Sequence, residues 1–501
     1  MSSQHYLGID LGTVSTCLAY ADDEGGVEIS KNEDGSGLLP SVILFTDEGK
    51  YIGDQAVKKS TEYSASNSVF FFKRMMGTDF RRSYGGITYD SAEMSAMVLK
   101  KALMNYERIT GNVADSAVIT MPGDFSDAEK NSIVAAAKMV GIHRLELLNE
   151  SLSAAIAYRH FSKDTKDRKV IVYDLGGGTL DITVVNIHGN SFNVLSDESS
   201  KDLGGRDWDL QLANIIQRKI LYAADMKIDD VVSDSELRIA VIKEAERQKV
   251  LLDKNSRSVG MIRVKGKPVR YIVSRGEFEE ATRSLMMKTI DMVGYALRNA
   301  QLTMSDIDSI LLVGGSTKMP QVSKLLKNAF PSVNLVTFDP EHAVARGAAI
   351  YARSIFSTDE ITVTSATTRT IGIMAGIDGM EKICNVIFRN TPLPIDRTLM
   401  CRPKRDDQKT LEISVYESLA KEGEDYIDPS EGKLLKNNIF SLNGKITRGK
   451  TKIPIRFVAD KDGRISVAIE CNGNYSECGM CDPMPTSDQI EMSALKLEGI
   501  L

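Results

Sequence analysis

Along residues 1–356 the apolar positions alternate between strand-like and helix-like stretches, the signature of a mixed α/β domain. Three S-x-x-E boxes mark helix starts, at Ser126–Glu129, Ser233–Glu236 and Ser274–Glu277, where serine and glutamate satisfy orphan backbone donors. The first of these helices is expected to stop near Gly141. At 357–370 the helical period is lost in STDEITVTSATTRT, a Ser/Thr-rich stretch that reads as a linker. Beyond it the period becomes two. Leu411, Ile413 and Val415 point one way, and Glu412 and Ser414 the other. Ile453, Ile455 and Phe457 alternate likewise, and a DKDG turn at 460–463 leads into Ile465, Val467 and Ile469. This predicts a hairpin with one buried face. The expected division is a mixed α/β domain over 1–356, a linker over 357–368, an antiparallel β-domain over 369–486, and a short helix over 487–501 as a truncated ending.

Length and composition narrow the class. A chain of 501 residues is too long for one hydrophobic core. The apolar fraction of 42% and charged fraction of 26% describe a folded globular protein. The net charge of −6 is spread over both signs, so no basic stripe argues for nucleic acid. No apolar run approaches the ~20 residues of a membrane span. The start, MSSQHYLGID, lacks a cationic segment followed by an apolar one, which argues against export and for a cytoplasmic protein. Cys478 and Cys481 form one C-x-x-C pair, but no second pair accompanies it and no histidine follows His342. Two reduced thiols in a surface loop are expected there, not a metal site.

GKITRGKT at 444–451 matches the P-loop pattern letter for letter. A working P-loop lies between a strand and a helix, so that amides and the helix dipole face the phosphates. Here IPIRFV follows, which reads as a strand, and the match is a decoy. A better candidate is a repeated plan. Tyr6, Leu7 and Ile9 lead to Asp10, then Gly12, Thr13, Val14 and Ser15 turn the chain into a second strand; VIVYD, LGGGT and LDITVV repeat this at 170–185. Glycines let backbone approach a polyphosphate, their amides and the threonine hydroxyls donate to its oxygens, and aspartates hold Mg²⁺ through water. Either segment alone is an ordinary glycine hairpin. Two of them, each with Asp at the strand end and Thr in the turn, would clamp one phosphate chain.

From these residues the chain resembles the seventy-kilodalton heat-shock chaperone family, within the actin-like ATPase superfamily. The motifs are GIDLGTVSTC (8–17), FFFKRMMGTDF (70–80), AVITMPGDFSDAEK (117–130), LLNESLSAAIAY (147–158), VYDLGGGTLDIT (172–183), DLGGRDWD (202–209), EAERQKVLL (244–252), LLVGGSTKMP (311–320) and AVARGAAIY (343–351). A fainter likeness continues through RNTPLP (389–394), SVYES (414–418) and FVADKDGRISVAIE (457–470). The resemblance implies an α/β two-lobed actin-like ATPase domain followed by an antiparallel β-sandwich, with ATP/ADP and Mg²⁺ as ligands. It implies that Asp10, Glu150, Asp174 and Asp181 organise Mg²⁺ through water, that Thr13 and Thr179 donate to phosphates, and that Lys73 stands beside the γ-phosphate and attacking water. Gly12, Val14, Ser15, Gly176, Gly177, Gly178, Gly204 and Gly205 would line the phosphate site. Glu246, Lys249, Val250 and Asp253, with Gly314, Gly315, Ser316, Thr317, Lys318 and Glu341, would hold the nucleoside. Ile373, Cys401, Leu411 and Ile413 would line a peptide groove, and Pro122 with Lys130 an allosteric switch. Implied partners are unfolded or extended polypeptide, a J-domain co-chaperone and a nucleotide exchange factor, with the protein a monomer.

Several positions depart from the family pattern. Ser151 stands where proline is usual, Lys130 replaces an arginine, Asp253 replaces a serine, and Cys401 replaces a common aromatic. The linker ITVTS (361–365) replaces a leucine-rich segment, which is expected to weaken its apolar docking. The ending predicts no long helical lid over that groove, so bound peptides are expected to leave faster. The leading expectation is an ATP-hydrolysing chaperone. A nucleotide-gated binding or regulatory module with a specialised client is the alternative, and a sugar kinase of the same superfamily the more distant one.

Overall fold

The computed structural model describes residues 4–60, 62–63, 65–163, 166–224, 235–358, 360–377, 379–442, 444–471, 474–479 and 484–501. Two six-stranded sheets organise the first 364 residues, and they repeat one plan. In the first, strand Tyr6–Leu11 pairs antiparallel with Ser15–Ala21 and parallel with Ser116–Met121, which is followed by Arg144–Asn149. In the second, Arg168–Leu175 pairs antiparallel with Leu180–His188 and parallel with Ser309–Val313, which is followed by Asn334–Thr337. Both central strands are buried along nearly their whole length, so they read as apolar runs.

Helices Glu150–Ser162 and Ala343–Arg353 pack against each other in one core shared by residues of both sheets. They approach closely because their contact is small: a Cβ on Gly347 would lie 1.7 Å from the carbonyl oxygen of Ser153. Helix Asp127–Met139 begins at Ser126 with the expected reciprocal cap, and helix Arg275–Ala281 does so at Ser274. The third cap expected from the sequence, at Ser233, lies outside the described residues.

The later part of the chain contains two antiparallel sheets of five and four strands, with an apolar core between them that includes Ile371, Ile413, Phe440, Ile455, Phe457 and Val467. The alternating segments pair in the register their pattern requires, with Ile455 opposite Ile469 and Phe457 opposite Val467. The P-loop-like 444–451 runs into strand Ile453–Ala459, not into a helix.

The linker carries regular structure of its own. Thr362–Thr364 is a strand that pairs in parallel with Ser191–Asn193 at the edge of the second sheet. Backbone hydrogen bonds are indifferent to side-chain polarity, and Ile361, Val363 and Ala366 supply apolar contact with the shared core. Threonine and serine in place of leucine have therefore not displaced it. Around this junction the two parts meet at several points. Arg389 pairs with Glu198 at 2.6 Å, the Lys130 ammonium donates to the Asp462 carbonyl at 2.6 Å, and Lys461 pairs with Glu146. A cavity of about 910 Å³ lies between them, lined by Asp124, Lys130, Arg369, Leu393 and Lys461 among others.

Candidate functional site

The two glycine turns, at 12–15 and 176–178, face each other across the sheets. A Cβ on Gly177 would lie 2.3 Å from Val14 Cγ2, and one on Gly178 3.1 Å from Thr13 Oγ1. The other turns close on the same place. A Cβ on Gly204 would meet the carbonyl carbon of Gly178 at 2.3 Å, and one on Gly314 would meet Asp174 Oδ1 at 2.5 Å. Gly205 donates its amide to the Gly176 carbonyl at 2.9 Å, and the Ser316 hydroxyl donates to the same oxygen at 3.0 Å. Three other segments, 13–14, 204–205 and 314–316, are thus stitched to the 176–178 turn and the strand that leads into it. Only residues without a side chain permit backbone to come this close. Gly12, Ser15 and Thr179 sit in these same turns, with Ser41 donating to the Gly12 carbonyl at 2.8 Å.

Charged groups gather beneath the turns. Lys73 is 5% exposed and its ammonium lies 2.9 Å from Glu150 Oε1. It is carried on a single helical turn, Phe72–Met75, entered through Phe71 in the left-handed region at φ 58°. Glu150 starts its helix behind the N-cap Asn149. Burial pushes the Asp10 carboxyl up to about 7; the negative charge of Glu150 adds to this, while Lys73 and the Thr120 hydroxyl oppose it. Asp174 is raised well above the usual carboxylate range by burial, then by Glu150 and Asp10. Asp181 is raised by burial, then by Glu150, Asp124 and Asp197; Ser199 donates to its Oδ1 at 2.5 Å. Asp181 Oδ2 is buried with no hydrogen-bond partner.

Several largely buried carboxylates, one with an orphaned oxygen, next to a glycine cradle suit a hydrated cation held with an anionic ligand. Among the described residues no three His, Cys, Asp or Glu side chains come close enough to hold a metal directly, so water would have to complete the shell of any Mg²⁺ here. Of the C-x-x-C pair, Cys478 is a free thiol and Cys481 lies outside the described residues.

On the far side, helix Ser235–Lys254 presents the nucleoside candidates. The Lys249 ammonium lies 2.9 Å from Asp209 Oδ1 and donates to the Gly205 carbonyl at 3.0 Å, so it braces the glycine turn. Lys318 pairs with Glu341 at 2.5 Å, and Gly315 lies against Glu341. Burial raises Asp253, with Lys249 and Lys318 opposing, which places these groups within electrostatic reach of one another. Glu246 and Val250 lie on the exposed side of that helix, and Thr317 is buried in the turn after Gly314.

Other candidates are placed elsewhere. Lys130 is buried against Asp462 and Asp127, facing the β-domain, while Pro122 opens the turn between strand Ser116–Met121 and helix Asp127–Met139. Ile373 and Ile413 are 3% and 2% exposed and belong to the β-sandwich core, with Leu411 and Cys401 packed against it. The four come together, but two of them as packed core.

Sequence reasoning missed several participants. Arg74, next to Lys73, donates to the Gly178 carbonyl and to the Lys201 carbonyl, tying the two halves together. Asp209 anchors Lys249. Asp197 accepts from Asn149 at 3.0 Å and Thr183 at 2.8 Å, and burial pushes it up to about 6. Each acts through a residue distant in sequence, so no local spacing announces it, although Arg74 lies within FFFKRMMGTDF and Asp209 ends DLGGRDWD.

The chain matches known proteins over nearly its whole length. The family model described as "Hsp70 protein" matches residues 6–84 and 81–480. The chain is 32% identical over 494 residues to the chaperone protein DnaK of Thermotoga neapolitana, covering 95% of this chain and 79% of that relative. DnaK of Thermotoga petrophila and of Thermotoga maritima are similar to the same extent. With a match across nearly the whole length and glycine turns, lysine and carboxylates converging as described, the chain belongs to the Hsp70 family.

Proposed function

We propose that this chain is an ATP-dependent molecular chaperone with an actin-like two-lobed ATPase domain, which hydrolyses ATP slowly and binds extended apolar polypeptide through its β-domain. The observation that carries the reading is the apposition of the 12–15 and 176–178 turns over the Lys73–Glu150 pair. Phosphoryl transfer to water needs positioning and charge neutralisation more than covalent chemistry. The turn amides and the hydroxyls of Thr13 and Thr179 hold phosphate oxygens. Lys73 offers a buried cation, and Glu150 orients both that ammonium and the attacking water. Asp10, Asp174 and Asp181 hold water around Mg²⁺, which when bound neutralises phosphate charge. Lys249, Asp253, Lys318 and Glu341 face the nucleoside.

Coupling to the β-domain is supported by the paired linker and the Arg389–Glu198 contact. A J-domain co-chaperone and an exchange factor are the partners this reading implies.

The test is ATP binding and single-turnover hydrolysis with the wild-type chain and Lys73→Ala, followed by peptide release on adding ATP. Wild type is expected to bind ATP and turn it over slowly, to release an apolar peptide on ATP addition, and Lys73→Ala to bind ATP yet lose about 10²-fold in rate. A wild-type chain that bound no ATP would end the proposal.

A further inference from the structure

Residues 487–501 are built into the first α/β lobe. Helix Ser487–Leu495 starts with a reciprocal cap between Thr486 and Gln489. The chain then turns and runs along strand Gly49–Ile52: Lys50 donates its amide to the Gly499 carbonyl at 2.8 Å, and Leu501 donates to the Lys50 carbonyl at 2.9 Å. Leu497 is 1% exposed and sits in the same core cluster as Phe72, Met76, Met94 and Leu99. The ammonium groups of Lys50 and Lys100 donate to the carbonyls of Glu498 and Leu497 at 2.5 and 3.2 Å.

The critical contact is with Glu93, a carboxylate only 2% exposed in the first turn of helix Ser91–Thr110. Its Oε1 accepts from Lys496 Nζ and Ser493 Oγ, both at 2.7 Å. Its Oε2 accepts from the Asp90 amide at 2.9 Å, which closes the cap of that helix. Two residues earlier, the Ser91 hydroxyl donates to the Met75 carbonyl at 3.1 Å, and Met75 ends the single turn that carries Lys73. That turn is short and entered through a left-handed phenylalanine, so it depends on its surroundings for its shape.

We infer that the tail acts as a positioning element for Lys73, with Lys496 and Leu497 setting the helix cap and core against which the lysine's turn is held. A buried carboxylate that loses its cation is strongly destabilised. Glu93 would then turn toward solvent, open the Asp90 cap, and loosen Ser91 and the Met75 carbonyl. The inference rests on the role of Lys73 proposed above, and concerns rate more than nucleotide affinity, because Lys73 acts beside the reacting phosphate and not on the nucleoside.

The experiment compares full-length Lys496→Glu, Lys496→Met and Lys496→Arg for ATP turnover, and follows amide hydrogen exchange at residues 72–76. The Glu and Met variants are expected to lose about tenfold in kcat with KM for ATP within twofold, since small misplacements of a reacting group cost rate steeply. Their 72–76 amides exchange faster, and Lys496→Arg keeps both properties. Unchanged kcat and unchanged exchange in the Met variant would overturn the inference, as would an equal loss in Lys496→Arg. Lys73→Ala in the same assay separates the two readings. If it hydrolyses at the wild-type rate, the role of Lys73 is wrong, while exchange at 72–76 still reports whether the tail holds that turn.

Discussion

At the residue scale, the site depends on what glycines omit and on where single charges are buried. Gly177→Ala would drive a methyl group into Val14, 2.3 Å away, and prise the two turns apart. Overpacking of this kind costs about 1–3 kcal/mol, so ATP affinity is expected to fall about tenfold. Val14→Ala removes the colliding atoms, and the double variant should recover most of the loss when measured by calorimetric titration; recovery absent, the apposition is not what sets affinity. Asp197 makes a different prediction. Its pKa of about 6 lies above the ordinary carboxylate value, so the folded state holds this proton more tightly than the unfolded chain does. Above pH 6 the buried charge therefore weakens the fold, and the penalty fades as pH falls toward 4, with an upper bound of about 3 kcal/mol. Asp197→Asn, which cannot titrate, should gain most in Tm over wild type near pH 7.5 and least near pH 5. A constant difference across that range would remove Asp197 as the source.

At the element scale, the linker strand Thr362–Thr364 is held by its backbone more than by its side chains. The Thr362 amide donates to the Asn190 carbonyl at 3.1 Å. Thr362→Pro deletes that donor and disrupts an edge strand. Thr362→Ser keeps it and removes only the side-chain methyl group. Trypsin cleavage near Arg353 and Arg369 is expected to accelerate severalfold in the proline variant and to change little in the serine variant. Equal protection in both would mean that the strand does not hold the junction closed. The short turn carrying Lys73 belongs to the same scale: its shape comes from neighbouring elements, among them the helix whose cap the tail completes.

At the scale of the whole molecule, the β-domain is tied to the α/β part at sites far apart in sequence. Arg389 and Glu198 form a pair with side chains 11% and 14% exposed, and Asn299 donates to the same carboxylate oxygen at 2.5 Å. Removing one partner of such a pair costs about 3–5 kcal/mol, because the other charge stays buried. Arg389→Met should therefore separate the unfolding of the two parts into distinct calorimetric transitions, and Glu198→Gln added to it should bring them together again. A single unchanged transition in Arg389→Met would show that the pair contributes nothing to their coupling.

Much of the architecture could be read from the chain because it is local. Period-two alternation marks the strands around Ile453 and Ile465, reciprocal caps mark helices at Ser126 and Ser274, and the Asp-Gly-Thr plan appears twice. Motif order also located Lys73, Glu150 and the glycines that the fold brings together. These features depend on backbone preferences and side-chain period, which act over a few residues. Four outcomes needed the tertiary structure: the docking of a polar linker, the bracing of Lys249 by Asp209, the buried Asp197 beside Asn149, and the tail's grip on Glu93. Each joins groups remote in sequence through a burial environment that no local pattern encodes. By itself the sequence determined which elements form and which candidate side chains they carry; the tertiary structure alone decided which buried charges meet, because the cost of desolvating a charge is known only once its neighbours are in place.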